Sequence, residues 1–232
     1  MGLWGGYILK PAADPYPQLP EVEDLTMHMA QLAKIKTVPH SLIRLASGKL
    51  AYITKRIDRT RKGKLAMEDM CQLTERLTED KYHGSYEQIG KAILMYSTTP
   101  GLDVVNFLEL VLFSFITGNA DMHLKNFSLL EQPGLGMTLS PAYDLVNTAL
   151  VNPADEEEMA LNINGRKKKL KKQDFVAAMN TLKIDEKQQK NIFNKMEKVF
   201  PKWIDLIDKS FLSDEFKEQY KAIIHERLNR IK

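Results

Sequence analysis

Cysteine is almost missing from this 232-residue chain, with Cys71 as its single thiol. One thiol cannot close an internal disulfide, so a stapled extracellular scaffold is excluded and a reducing compartment is expected. Long hydrophobic runs are lacking too. The most apolar stretch, Val104 to Thr117, is interrupted by Asn106, Glu109 and Ser114. It falls short of the roughly 20 residues that span a bilayer, so it reads as a buried helix and no membrane partner is expected. The N-terminus carries no charged leader with a long apolar run, so export is not expected and a cytoplasmic location follows by elimination. Charge of one sign is scarce: 33 Lys and Arg against 30 Asp and Glu leave a net +3, too little for a global attraction to polyanions. His28, His40, His83 and His225 have no metal-ligand spacing with Cys71, so no zinc site is expected. What is present is ordinary for a globular chain, 44% hydrophobic and 27% charged residues. Such a chain buries roughly 70% of its unfolded surface, in one domain or two tightly joined lobes.

The pattern along the chain opens with a short strand, Gly5 to Lys10, stopped by Pro11, which cannot donate to a ladder. Pro11, Pro15, Pro17 and Pro20 make a stiff connector. A helix is then expected from Pro20, with Val22, Leu25, Met29, Leu32 and Ala33 on one face and Glu21, Glu23 and Asp24 in the first turn, where the helix dipole favours acids. Two strand-like runs, Val38 to Leu45 and Leu50 to Ile57, flank a turn at Ala46–Lys49. A basic loop from Asp58 to Lys64 follows, then a helical stretch opening at Met67. Apolar spacing is helical from Tyr86 to Thr98 and from Asp103 to Thr117, with Pro100-Gly101 separating the two. Phe127–Leu130 and Met137–Leu139 read as strands around Pro133-Gly134. Ala160–Ile163 and Lys168–Leu170 read as a hairpin around Asn164-Gly165. Asp174 to Ile231 is helical by period, and methionines such as Met27, Met29 and Met196 read as core filler.

The least ordinary segment is Gly118 to Asn126, polar residues between an apolar helix and a strand. It packs Asp121, His123, Lys125 and Asn126 together, and Asp144 follows after a hairpin. Asp-x4-Asn, a strand pair and a second Asp is the layout of a kinase catalytic segment, in which one Asp orients the attacking hydroxyl while the Asn and the second Asp hold magnesium. Both offer the hard oxygen ligands that ion prefers. Lys10 meets the need for a cation beside the nucleotide phosphates, and Glu21 or Glu23 is its helix partner, spacing leaving the choice open. Lys55, Arg56, Ile57 and Asp58 close the second strand where a hinge would face adenine. His123 reads either as a nucleotide contact or as a brace for backbone carbonyls, and Lys125 as a site residue or a solvated side chain.

Tyr7-Ile8-Leu9-Lys10-Pro11, Gln18-Leu19-Pro20-Glu21, Lys55-Arg56-Ile57-Asp58-Arg59, the segment from Gly118 to Ser128, Pro141-Ala142-Tyr143-Asp144-Leu145 and Ile163-Asn164-Gly165 follow one another in an order that resembles HipA-like serine/threonine kinases, the toxins of bacterial toxin–antitoxin modules. The resemblance implies an α+β, two-lobed protein-kinase-like fold, with a truncated small N-lobe over residues 1–60 and a mostly helical C-lobe over 61–232. It implies an ATP- and Mg2+-dependent kinase with Asp121 as catalytic base and Asn126 and Asp144 on magnesium. Lys10, Lys55, Arg56, Ile57, His123, Lys125 and Tyr143 would then line the ATP site. It further implies a protein substrate of the aminoacyl-tRNA synthetase class and a helix-turn-helix antitoxin as partner, with DNA reached only through that antitoxin.

One departure stands out. Family members carry an N-terminal subdomain and a glycine-rich loop ahead of the lysine strand, whereas nine residues precede Lys10 here and Gly5-Gly6 cannot replace that loop. A sequence trimmed from a longer protein is the expectation, and a separate chain the alternative. Arg166, Lys167, Lys168, Lys169, Lys171 and Lys172 place six positive charges in seven positions. They read as an edge strand protected by charge, or as a contact for an antitoxin or nucleic acid in a catalytically silent binding module. No aromatic residue interleaves them to stack bases. Asp155 to Glu158 reads as a solvated acidic loop.

Overall fold

Strand β1 (Tyr7–Pro11) forms the edge of a three-stranded antiparallel sheet, and the chain then turns into helix α1 (Leu19–Leu32). Gln18 enters that helix in the left-handed region at φ 55°, and Pro20 occupies its first turn. The missing proline N–H is no loss there, because the first turn has no intrahelical acceptor for it. Strands β2 (His40–Arg44) and β3 (Leu50–Lys55) complete the sheet in the order β1-β3-β2. Lys10 pairs with Tyr52 across β1 and β3, and Leu42 pairs with Tyr52 from the other side. Tyr52 is therefore central, fully buried, and covered by α1. The computed structural model describes residues 5–61, 63–154 and 156–232. The expected residues Met1 to Trp4, Lys62 of the basic loop and Asp155 of the acidic loop lie outside these.

The basic loop contains a two-rung hairpin, β4 (Arg59–Thr60) with β5 (Gly63–Lys64). At Met67 the structure departs from expectation: Met67–Asp69 is a strand, β6. Three residues carry too little periodicity to reveal this, and the strand exists because its backbone pairs with that of a strand some sixty positions later. Helix α2 (Met70–Leu73) begins only at Met70, where Asp69 and Gln72 cap each other reciprocally. Helix α3 (Tyr86–Tyr96) starts on the same device, Ser85 with Gln88. Helix α4 (Pro100–Ile116) is buried on nearly all sides. The break from α3 is observed, and Pro100 itself opens α4, since a proline at the first helical position is pre-set in φ.

Strand β7 (Ser128–Gln132) receives β6 on one side and β8 (Gly136–Leu139) on the other. Short α5 (Thr148–Val151) precedes the terminal helices α6 (Lys172–Thr181), α7 (Glu186–Asp208) and α8 (Asp214–Arg230). Tyr86, Phe107 and Phe127 pack edge-to-face or tilted at 5.1–6.4 Å between centroids, each such side chain contributing about 1.5–3 kcal/mol by leaving water. Helix α1 is braced from this side as well as by its sheet: the indole of fully buried Trp203 on α7 donates to the Met29 carbonyl at 2.9 Å, and the hydroxyls of Thr26 and Tyr220 meet at 2.7 Å. Among the described residues no helix is long and apolar enough to cross a membrane.

The expected hairpin at 160–170 is reduced to a turn. Asn164 and Gly165 both have positive φ, 48° and 74°, as a tight reversal demands, but a single rung, Ile163 with Arg166, follows it. The remaining backbone groups are taken elsewhere. Asn162 bridges to Ser85, the Asn164 N–H donates to the Glu87 carboxylate at 2.7 Å, and the Leu170 N–H donates to Glu158 at 3.0 Å. No edge strand exists for the lysines to protect. Of the described acids, Glu156 is solvated as expected, 84% exposed beside Lys168, and Glu157 is half-exposed beside Lys167, whereas Arg230 grips Glu158 through both ends of its guanidinium at 2.7 and 2.9 Å.

Candidate active site

The Lys10 ammonium projects from the end of β1 toward α1 and meets the Glu23 carboxylate at 2.7 Å. It also pairs directly with Asp144. Glu23, not Glu21, is the helix partner, because the two are about 200° apart around α1. Burial pushes the Glu23 carboxyl up to about 7, against the pull of Lys10. Burial alone would lower the Lys10 ammonium, but Glu23 and Asp144 outweigh it and hold the group above 10.5. The same ammonium stands 5.7 Å over the Tyr52 ring, whose buried hydroxyl has no hydrogen-bond partner among the described residues; burial raises that phenol well above its usual value of 10.0.

Asp144 reaches Lys10 from a stretch without regular structure beyond β8, and its backbone is left-handed at φ 59°, a conformation that costs a non-glycine residue free energy and clusters at functional sites. The neighbours hold it there. The Ala142 N–H donates to the Lys36 carbonyl at 2.8 Å and the Val38 N–H returns a bond to the Ala142 carbonyl at 3.0 Å. Half-buried Tyr143 donates its phenolic hydrogen to the Lys125 carbonyl at 3.0 Å and shares 2.6 Å with the Ser128 hydroxyl. Its hydroxyl therefore fastens the Asp144 segment to the Lys125 segment while the ring lines a cavity.

Asp121 lies beyond the end of α4. Its carboxylate accepts a 2.6 Å hydrogen bond from the Tyr82 hydroxyl, and its carbonyl accepts from the Asn126 amide nitrogen at 2.9 Å. Engagement of that nitrogen leaves the Asn126 amide oxygen as the group able to take a cation. His123 is buried, packs edge-to-face on Tyr82 at 5.0 Å and has a buried Nδ1 without a hydrogen-bond partner among the described residues. Burial, with some help from Lys81, holds its imidazole below the usual 6.5 although Asp121 pulls the other way, so the ring is neutral at pH 7. Lys125 is directed toward Thr78 and Asp69, at 3.3 and 3.8 Å.

Two cavities share Lys10, Glu23 and Asp144 as a common wall. The first, about 430 Å³, is walled by apolar Ile8, Val38 and Ile57 together with Lys55, Arg56 and Tyr143. The second, about 570 Å³, carries Asp121 and Tyr82. Both lie in the 300–1,000 Å³ range of small-molecule sites. The backbone N–H groups of Lys55 and Arg56 are already used, on the Pro39 and Gly6 carbonyls at 2.9 Å, and the Arg56 side chain holds Asp58 at 2.9 and 3.1 Å. The structure thus brings Lys10, Asp144, Tyr143 and residues 55–57 to one cavity and Asp121 to its neighbour, and turns Lys125 aside. The sequence reading missed Tyr82, which lies in an unpatterned loop, and Tyr52, whose place at the centre of β3 was legible from strand alternation.

Comparison with known proteins places this geometry in context. The family model described as HipA-like C-terminal domain matches residues 4–204. A Sinorhizobium fredii protein named "Putative kinase Y4dM" is 34% identical over 72% of this chain and 43% of its own length. A Haemophilus influenzae protein also named as a kinase is 28% identical over 62% of this chain and 46% of its own. The chain thus spans less than half the length of these curated relatives. Among solved structures, the Shewanella oneidensis HipA of a toxin–antitoxin complex with HipB and operator DNA superposes with a TM-score of 0.84 at 21% identity, over 97% of this chain and 58% of that one. The Helicobacter pylori proinflammatory kinase CtkA gives 0.63 at 16% identity, over 97% and 87%. The expected two-lobed, kinase-like α+β fold is therefore the observed one.

Proposed function

The chain belongs to the HipA-like C-terminal domain family, and from that premise we propose that it is the core of an ATP- and Mg2+-dependent kinase that transfers the γ-phosphate to a serine or threonine hydroxyl of a protein. The observation that carries the reading is the position of Lys10, held between Glu23 and Asp144 on the wall shared by two cavities. An apolar-walled space suited to a base lies on one side, and an aspartate suited to receive a proton lies on the other. The reading divides the chain near residue 60, with 1–60 as the small lobe and 61–232 as the large one.

Each residue then has a task. Lys10 neutralises phosphate charge, and Glu23 fixes where its ammonium stands. Asp144 and the Asn126 oxygen hold the magnesium ion, and the ion supplies charge neutralisation and alignment across the phosphates. Asp121 orients the acceptor hydroxyl and takes its proton as the oxygen attacks phosphorus and ADP leaves. The Tyr82 hydroxyl holds the Asp121 carboxylate in one rotamer, and neutral His123 packs behind it without adding charge. Residues 55–57 border the base, and Tyr143 joins the two metal-holding segments. By analogy with HipA bound to HipB and operator DNA, a DNA-binding antitoxin is the proposed partner, with DNA reached through it; an aminoacyl-tRNA synthetase is the proposed acceptor on the family resemblance alone. The rival reading, a silent module binding through 166–172, has less support because the nearby acids Glu156 and Glu157 offset part of that segment's charge.

Incubation with Mg2+ and γ-labelled ATP in the presence of aminoacyl-tRNA synthetases tests this. Label on serine or threonine, lost in Asp121→Asn, is the expected result. Transfer that survives Asp121→Asn would overturn the assignment of the base.

A further inference from the structure

Outside the kinase cleft, three donors from two separate elements converge at the back of α1. Asp24 and His28 are four residues apart on α1, so they share a helix face, and His40 begins β2 opposite them. One carboxylate oxygen of Asp24 lies 3.1 Å from His40 Nδ1 and the other lies 3.5 Å from His28 Nε2. One ligand atom from each of the three residues falls within 4.8 Å of the other two. The His40 side chain is fully buried while that of His28 is 45% exposed, which gives the cluster a rigid inner wall and an entrance from water.

The hydrogen-bond pattern leaves one contact without a hydrogen. Gln31 donates its amide nitrogen to the Thr37 hydroxyl at 3.0 Å and faces His40 Nε2 with it at 3.1 Å. An amide nitrogen only donates, so His40 Nε2 is the acceptor and Nδ1 carries the hydrogen toward Asp24. The Gln31 oxygen must then accept from His28 Nδ1, 3.0 Å away. In the neutral ring this leaves the lone pair on Nε2, pointed at a carboxylate oxygen 3.5 Å away. Either a proton on Nε2 or a metal ion between the two atoms fills that gap.

We propose that Asp24, His28 and His40 form a binding site for a divalent transition-metal ion of the zinc class, which ties helix α1 to strand β2. Two imidazoles and a carboxylate are the nitrogen and oxygen donors that zinc accepts, with water as a fourth ligand. A tetrahedral ion about 2.0–2.1 Å from each donor sets them about 3.4 Å apart. The 3.1 Å contact of one Asp24 oxygen with His40 Nδ1 is close to that spacing; His28 Nε2 lies 3.5 Å from the other oxygen, and all three ligand atoms lie within 4.8 Å of one another, so the exposed His28 ring moves to complete the set. On binding, the metal replaces the Nδ1 hydrogen of His40. The displaced hydrogen is carried on Nε2 instead, the Gln31 amide turns its oxygen toward it, the His28 Nδ1–H turns its hydrogen bond to water, and no net proton is released. The sequence hides the site because its ligands are divided between a helix and a strand and include no cysteine. The proposal does not depend on the kinase reading, although Asp24 adjoins Glu23 and His40 stacks on Tyr52 at 5.9 Å.

Isothermal titration of the whole chain with zinc chloride, and a parallel titration with cobalt(II) followed by visible absorption, test it. One equivalent of zinc is expected to bind with a dissociation constant on the order of micromolar, with a tetrahedral cobalt spectrum. His28→Ala, a change at an exposed side chain, is expected to weaken zinc at least about tenfold and abolish that spectrum, whereas His225→Ala changes neither. Absence of saturable binding in the unaltered chain, or binding that survives His28→Ala at full strength, overturns the proposal.

Discussion

Replacing Glu23 with glutamine should change how stability depends on pH in a calculable way. The Glu23 carboxyl titrates near 4.5 in an unfolded chain and at about 7 in the folded one, because burial disfavours its charge. A raised value means that the folded state holds the proton more tightly. The stabilisation is fully present below pH 4.5 and is lost as pH climbs toward 7. At about 1.4 kcal/mol per pH unit the whole interval amounts to about 3 kcal/mol. Glutamine keeps the shape and cannot ionise, while Lys10 retains Asp144 as a counter-charge. Urea unfolding of both proteins from pH 4.5 to 8 should give similar stabilities at the acid end and a gap widening by up to about 3 kcal/mol in favour of Glu23→Gln at the other. Groups that do not interact with Glu23 cancel in the comparison. Parallel curves across that range would refute the reasoning, because they would mean that folding does not perturb the Glu23 carboxyl.

Trp203→Ala should cost about 3–5 kcal/mol in urea unfolding, since it empties a fully buried site and strands the Met29 carbonyl that the indole satisfies. Tyr82→Phe removes the hydroxyl that holds Asp121; a loss of about 1 kcal/mol in the transition state lowers kcat about fivefold. KM for ATP should be unchanged, and an unaltered kcat would remove Tyr82 from the mechanism.

Much of this arrangement was legible in the residues. Lys10, α1 and the β2–β3 hairpin follow from proline placement and alternation, because each signal is local. Asp121, Asn126 and Asp144 could be grouped by their order along the chain, although their contacts could not. Where the reading failed, long-range pairing decided the outcome. Met67–Asp69 is a strand only because β7 accepts it, and Lys168–Leu170 is not one because Glu158 claims the Leu170 N–H. Glu23 was separated from Glu21 only by the rotation of α1 about its axis. Tyr82 carried no signal, since its value comes from a 39-residue separation closed by the fold.

The central claim is that Asp144 holds the metal that presents ATP to Lys10, and calorimetric titration of Mg2+ and ATP into the chain and into Asp144→Ala tests it most directly. Binding measurable in the first and weakened by at least about tenfold in the second, a loss of about 1.4 kcal/mol or more, is the predicted result; equal affinities would contradict it.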